Sequence, residues 1–592
     1  MVVSGESLTR LLAAPAGAAL IAVLWLSPVA HAAPPPGVAG PSSAQPAARL
    51  TTVRAKAIFL ADDKVADWLD RYRGKPWVAT ATYQPDSARC TFGTVGGCWD
   101  LRVDWAPAGE IANGRVDDKL GVVTEAWAGP QVAWKMARGG GSVFGGTKIN
   151  SYSIWLGLCG AFLLGLANFR RPLSWRNLDL LALLSFSVSL WFFNRGHVFA
   201  SASLAYPPLV YLLARCARIG FTGRPVRGRP VWPAWVLLGA TIFLVGFRIG
   251  LNKENSSVID VGYAGVIGAE RIAHGQSPYG HFPIEDDLKA CGPSDAEGEI
   301  RERIQANGRC ESANPQGDTY GPAAYESYLP AYGIFGWPGK WNSLPAAHAT
   351  AIAFDILCLL GLFLVGLRFG GSLLGATLAF AWAAYPFTQY ISSSNTNDAL
   401  MPAFLIWGFW LVSSPVARGV FVALSTWTKF ATIIVAPLWL TYPEVRRRPR
   451  PALAYVAGFG VATAAAFSIL LLEPSSLHAA HVFYDRTIKN QIDRKSPFSL
   501  WDWRQYHARG LPDLHVLQRV LEGLLVAAAV AFALVPRRKS PLQLAALTAV
   551  LLLGFELVLT HWIYFYIPWV FPFVAFALLA PRGRAQPEPL AA

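Results

Sequence analysis

The sequence predicts a polytopic α-helical membrane protein, with about eleven spans plus a re-entrant hairpin, that carries a small N-terminal α+β domain on the extracytoplasmic side. Three observations predict it. Hydrophobic residues make up 53% of the 592 residues and the mean hydropathy is +0.34, which is too apolar for a set of soluble domains. Apolar runs long enough to cross a bilayer core recur from residue 151 onward. The formal charge of +14 sits in short Arg-bearing turns between those runs, so it reads as orientation signal and gives no nucleic-acid-binding patch.

The N-terminal stretch LTRLLAAPAGAALIAVLWLSPVAHAAPPPG has one early Arg10, an apolar run of modest length and a small-residue site at Ala30-His31-Ala32. It reads as a secretory signal peptide over residues 1–33, with an uncleaved anchor helix as the alternative; both send the next segment across the membrane. Residues 34–49, rich in Pro, Ala, Gly and Ser, read as a flexible linker. Residues 50–150 then show an amphipathic helical pattern from Arg54 to Tyr72 and strand-like runs at WVATATY, CWDLRVDW and GVVTEAWAG. This is a small α+β extracytoplasmic domain, read as a structural or docking module that could take a protein partner. Its VDDKLGVVTEAW segment resembles the β-turn of PepSY-like domains. MARGGGSVFGG, residues 136–146, is expected to hinge it to the membrane.

The seven cysteines agree with this compartment. Cys90 with Cys98 and Cys291 with Cys310 fall in outer segments, where an oxidising environment permits disulfides between nearest partners. Cys159, Cys216 and Cys358 fall in or beside spans. There is no CxxC pair, hence no zinc or redox motif; no cofactor is implied, and a divalent-cation requirement stays open.

Spans are expected at about 151–168, 178–193, 198–215, 232–250, 345–367, 373–391, 398–413, 452–472, 515–535, 541–559 and 563–580. The first three, within 151–231, precede a core over 232–580, and 581–592 form a cytoplasmic tail. Arg170, Arg171, Arg215, Arg218, Arg368, Arg418, Arg446, Arg537 and Arg582 all fall on one side if the first domain is external, as the positive-inside rule requires. Between Arg418 and Arg446 the run GVFVALSTWTKFATIIVAPLWLTYPEV is too short for two full crossings. A re-entrant hairpin resolves this, with Lys429 near its tip; one long tilted span plus a surface helix is the alternative. A lysine at membrane depth is costly enough to point to a functional partner.

Asp260 follows the outward span ending near Gly250, so it lies just outside the lipid. Ile259, Tyr263, Val266 and Ile267 fall on one helical face, which predicts a short amphipathic helix lying along the membrane surface. Asp260 is then a candidate catalyst or, equally, a helix cap. Two large outer loops, 251–344 and 473–514, interleave aromatic and cationic residues, as in HAAHVFYDRTIKNQIDRKSPFSLWDW. That mixture suits a lipid headgroup bearing phosphate and sugar, although an interfacial aromatic belt would use the same residues.

An outward span, an acid soon after it, G-x-SPY at Gly275 to Tyr279, Tyr320-Gly321-Pro322 and Tyr328-Leu329-Pro330 before the next span, and SSSNTND at Ser392 to Asp398 together resemble the GT-C glycosyltransferases. The pattern is most similar to family 87, whose members depend on polyprenyl-phosphate mannose, and covers about residues 232–580. The resemblance implies a multi-pass plasma-membrane enzyme, active on the extracytoplasmic face, that moves a hexose from a polyprenyl-phosphate sugar to a lipid or glycan acceptor with inversion. It implies Asp260 as general base; Lys429, Arg486, Lys495 and Arg504 as binders of the donor phosphate; and Tyr263, Tyr279, Tyr320, Asn395 and Asn397 as substrate contacts. The chemistry fits these residue types. The donor already carries a good leaving group, so an acid at the water–lipid boundary need only take the acceptor's proton while fixed cations meet the departing phosphate. A transporter or flippase of a lipid-linked sugar is the competing class, but inverted repeats are not visible.

Overall fold

The computed structural model describes residues 47–580 except 87–89, 91–96, 107–108, 129–143, 196, 227–230, 283–301, 305–309, 313–316, 340–343, 446–448, 493–495, 497 and 502–511. The signal-peptide segment, Cys291, Lys495, Arg504, the arginines at 446–448 and the tail lie outside the described residues, as does the side chain of Cys310.

The N-terminal domain, expected to be the outer one, begins with α1 (Thr52–Leu60) and α2 (Asp63–Leu69). A single helix over 54–72 is the sequence expectation; instead the Asp62 side chain accepts from Lys64 N and Val65 N and starts a second helix there. Strands β1 (Val78–Gln84), β2 (Cys98–Trp105), β3 (Gly109–Asp117) and β4 (Val123–Ala128) form an antiparallel sheet in that order. The helices cover it with Phe59 and Val65 over Trp99, Leu101, Val103, Ile111 and Val116. β3 was not legible from alternation, because its buried residues include Glu110, Asn113, Arg115 and Asp117. Arg115 is satisfied between Asp100 at 2.7 Å and Glu125 at 3.9 Å. Cys90 and Cys98 are disulfide-bonded as expected, with Cα atoms 5.8 Å apart.

Residue 144 onward enters the membrane region. Its helices are α3 (Tyr152–Leu166), α4 (Trp175–Phe193), α5 (Val198–Thr222) and α6 (Ala234–Glu254); then α7 (Asp260–Ala273), α8 (Pro322–Glu326) and α9 (Leu329–Phe335) within the first outer loop. They continue with α10 (Pro345–Ala384), α11 (Pro386–Ser393), α12 (Leu400–Trp410), α13 (Pro415–Thr426), α14 (Ala436–Leu440), α15 (Arg450–Ala466), α16 (Ser476–Tyr484), α17 (His515–Leu534), α18 (Pro541–Val558) and α19 (Ile567–Leu579). Seven helical segments among the described residues are long and apolar enough to cross a membrane. The expected spans 345–367 and 373–391 appear as α10, broken at Gly371 with φ +80°, and α11. Trp235, Phe243, Leu453, Val461 and Val516 point outward, as lipid-facing side chains do.

Small residues bring helices together where apolar attraction alone would not. A Cβ on Gly419 of α13 would sit 2.0 Å from Tyr455 O, and one on Gly458 of α15 2.4 Å from Val416 O, so these two backbones touch. α13 is the descending arm of the expected hairpin. Its return arm is a 3₁₀ turn, Phe430–Val435, followed by α14, and Lys429 stands at the junction.

The helix α7 corrects an expectation. It does not lie along a surface: Val261, Gly262, Ala264 to Ala269 are all buried within protein. The reason is a glycine stripe opposite the predicted apolar face. Cβ atoms on Gly265 and Gly268 would meet the rings of Tyr328 at 2.4 Å and Tyr325 at 2.1 Å. With hydrogen in place of Cβ, both tyrosine rings reach the backbone of the helix.

Candidate active site

The segment that delivers Asp260 is held from three directions. From below, Arg248 of α6 is buried and donates from Nε to Asp355 Oδ2 at 2.8 Å and from Nη1 to Thr388 Oγ1 at 3.2 Å, while Trp382 Nε1 donates to Asp355 Oδ1 at 2.7 Å. One turn later Asn252 donates to Ser392 O at 2.6 Å and Asn395 Oδ1 at 2.8 Å, and its own oxygen lies 2.9 Å from His348 Nδ1. Across from it, Asn395 donates to Ser256 Oγ at 3.1 Å and Ser257 O at 3.0 Å, and the backbone amides of Ser257 and Ile259 donate to Ser393 O and Ser394 O. From the outer-domain side, Gly145 N donates to Ser257 Oγ at 3.0 Å and Lys148 N to Asn255 Oδ1 at 2.7 Å. The end of the expected hinge is therefore anchored, with Phe144, Gly145 and Gly146 buried.

Asp260 opens the first turn of α7, half-buried, where the helix dipole favours its charge. Ile259 holds the cap position and Asp260 the first helical one, so Asp260 complements the helix dipole without being the N-cap. Asn395, expected at the substrate, is fully buried with its amide committed to the segment before Asp260, and its φ is +49°, a left-handed conformation that Asn tolerates better than most residues. Its described hydrogen bonds all go to the segment before Asp260 and to Asn252. Asn397 is buried too, its side-chain oxygen without a hydrogen-bond partner among the described residues.

The same loop ends on Asp398, and Asp398 meets the hairpin tip. Lys429 Nζ lies 3.2 Å from Asp398 Oδ1, with the two side chains 11% and 2% exposed. Trp569 Nε1 donates to that carboxylate oxygen at 3.0 Å. Aromatic faces close around the ammonium: Tyr320 at 4.8 Å, Trp569 at 5.4 Å and Tyr566 at 6.0 Å. A cation in an apolar surround is held by a carboxylate and by ring quadrupoles together.

The remaining candidates lie on the adjoining wall. Arg486, fully buried, pairs with Asp318 at 3.3 Å, and Asp318 also accepts from Gly280 N at 3.0 Å. Tyr279 is buried and donates to Tyr320 O at 2.9 Å, so it orients the ring under Lys429. Tyr325 supports the same strand by donating to Gly317 O at 2.7 Å. Tyr263 is half-buried, its ring centroid 5.9 Å from that of Trp337. Beside this wall a groove of about 430 Å³ runs between α8–α9 and helices α10, α12 and α13, lined by Glu326, Thr350, Phe354, Phe404 and Leu424. Burial raises the Glu326 carboxyl to about 7. Among the described residues no group of three metal-ligating side chains stands together.

Sequence reasoning overlooked Asp398, Tyr566, Trp569 and Glu326. Asp398 closes a motif already singled out, and the available signal was only that an intramembrane lysine calls for an acidic partner somewhere in the chain. Residues 327–560 match the model of Glycosyltransferase family 87, somewhat less than half of the chain, spanning the loop 392–398 and the hairpin. Neither the curated proteins nor the solved structures contain a match to the chain.

Proposed function

We propose that this multi-pass membrane glycosyltransferase moves a hexose, mannose being the expected sugar, from a polyprenyl-phosphate donor to a lipid or glycan acceptor at the extracytoplasmic face. One observation carries the reading: the loop 392–398 grips both the backbone leading into Asp260 and, through Asp398, the ammonium of Lys429. One loop thus touches both the segment that leads into an acid and a cation drawn from a segment far apart in sequence. In this reaction the donor's phosphate is the leaving group and draws on Lys429, with Arg486 behind it. Asp260 takes the proton of the acceptor hydroxyl as that oxygen attacks the anomeric carbon from the face opposite the phosphate, which inverts the centre. The sugar–phosphate bond breaks as the new bond forms, and the prenyl chain lies in the groove beside α8 and α10.

Asp260→Asn keeps size while removing basicity. The expected result is a folded protein whose turnover falls about 10²- to 10⁴-fold. Expression, thermal stability and transfer rate are to be measured on one preparation, and near-normal transfer by this variant would reject Asp260 as the base. Should the variant not fold, Asp260→Glu carries the same comparison with the charge retained.

A further inference from the structure

We propose that Asp398 is a resident counter-ion, occupying in the empty enzyme the place at Lys429 that the donor's phosphate takes over, and that it picks up a proton when displaced. This rests on the reading of Lys429 as a phosphate binder.

The cage explains why a stand-in is needed. Lys429 is almost fully enclosed by Tyr320, Tyr566 and Trp569, and an ammonium in such surroundings without an anion would lose its proton or pull the hairpin tip out toward water. Asp398 keeps it charged and in place between turnovers. The pair is lopsided in a way that suits exchange. Asp398 is 2% exposed and fixed by its short helical turn and by Trp569, whereas Lys429 is the more exposed partner and sits on a flexible stem. An arriving phosphate therefore has the ammonium to compete for, and the carboxylate cannot follow it.

Once Lys429 turns to phosphate, the carboxylate is buried with the Trp569 N–H but without its cation. Among the described residues the titratable groups around the pair include Lys429 itself, the Tyr320 and Tyr566 rings beside its ammonium, and the hydroxyl of Tyr328, just before α9, which lies within the electrostatic reach of Asp398 and is buried with no hydrogen-bond partner. Tyr328 can donate a hydrogen bond but supplies no positive charge, so the carboxylate lowers its cost by taking up a proton from solution. Binding of a phosphate monoanion is then accompanied by uptake of about one proton. When the lipid phosphate leaves, the proton is released and the Asp398–Lys429 pair re-forms.

The test uses the full chain in detergent, with dioctyl phosphate as the anion and trioctyl phosphate as the neutral control. A dialkyl phosphate does not titrate near neutrality, so any proton counted belongs to the protein. Calorimetric titration at pH 7.5 in buffers of differing ionisation enthalpy should show about one proton taken up per bound anion and none for the neutral ester. Asp398→Asn should bind the anion more tightly, because the competitor is gone, and with no uptake. A wild type that binds without proton uptake, or Asp398→Asn with the wild-type proton count, overturns the proposal. If Asp398→Asn does not fold, the wild-type count decides alone. Lys429→Gln separates the two levels: if it binds dioctyl phosphate as wild type does, the phosphate role of Lys429 itself falls.

Discussion

Asn395 shows how much one side chain can be asked to hold. Its amide joins α6 to the stretch before Asp260, and its backbone adopts a left-handed turn. Asn395→Gly relieves the backbone and deletes only the amide, so it isolates that bracket. It is expected to lower stability by about 1–3 kcal/mol, the cost of buried groups left unpaired, and to lower turnover by loosening Asp260. Thermal unfolding with a rate assay checks both, and a variant as active as wild type would show the bracket to be idle. The Arg248–Asp355 pair makes a second residue-scale case. Either Arg248→Met or Asp355→Leu strands a buried charge, at about 3–5 kcal/mol, whereas the double variant should recover most of that loss. Lys429 was legible in the sequence because a charge within an apolar run stands out. Its partner was not, because only the fold brings Asp398 beside it; likewise nothing local foretells the hydrogen bonds of Asn395 to Ser256 and Ser257.

Among elements, the helical membrane class was legible since length and apolarity define it, but about eleven spans were expected and seven described helices are long and apolar enough to cross; Tyr152–Leu166 and Ile567–Leu579 are shorter. α7 was located correctly and oriented wrongly. Its apolar residues were read as a lipid-facing stripe, while the opposite stripe of Gly262, Gly265 and Gly268 encodes close contact with another part of the chain. Gly268→Ala should therefore cost about 1–3 kcal/mol through overpacking against the Tyr325 ring, whereas Gly239→Ala in α6, with open space around it, should be neutral or slightly stabilising. β3 escaped notice for the inverse reason: Glu110, Asn113, Arg115 and Asp117 are buried alongside Ile111, Ala112 and Val116, which erases the period-two signal. α8 adds a pH dependence. Burial raises Glu326 from 4.5 to about 7, so the folded state holds its proton more tightly than the unfolded chain. The stability this confers is complete below about 4.5 and is lost as pH rises through about 7. Glu326→Gln should flatten melting temperature against pH across that window; an unchanged slope would place its origin elsewhere.

For the whole molecule, the expected orientation rests on the arginine pattern. Single cysteines introduced at 330 and 225 should label oppositely from outside the cell, reactive at 330 and protected at 225. The native thiols of Cys216 and Cys358 are buried and add little background. The reverse pattern would move the proposed active site to the cytoplasmic face. The outer domain is tied into this arrangement: Trp127 of β4 packs against Phe193, and Phe144 against both Phe193 and Phe565. Those contacts have a meaning for biogenesis. The ribosome delivers Phe144 long before Phe565, so in the interval the tether has only part of its seat. Until Phe565 arrives, the turn carrying Gly145 and Lys148 lacks a ring that pins it beside Ser257 and Asn255. A nascent chain thus carries Asp260 on a support that is still unfinished.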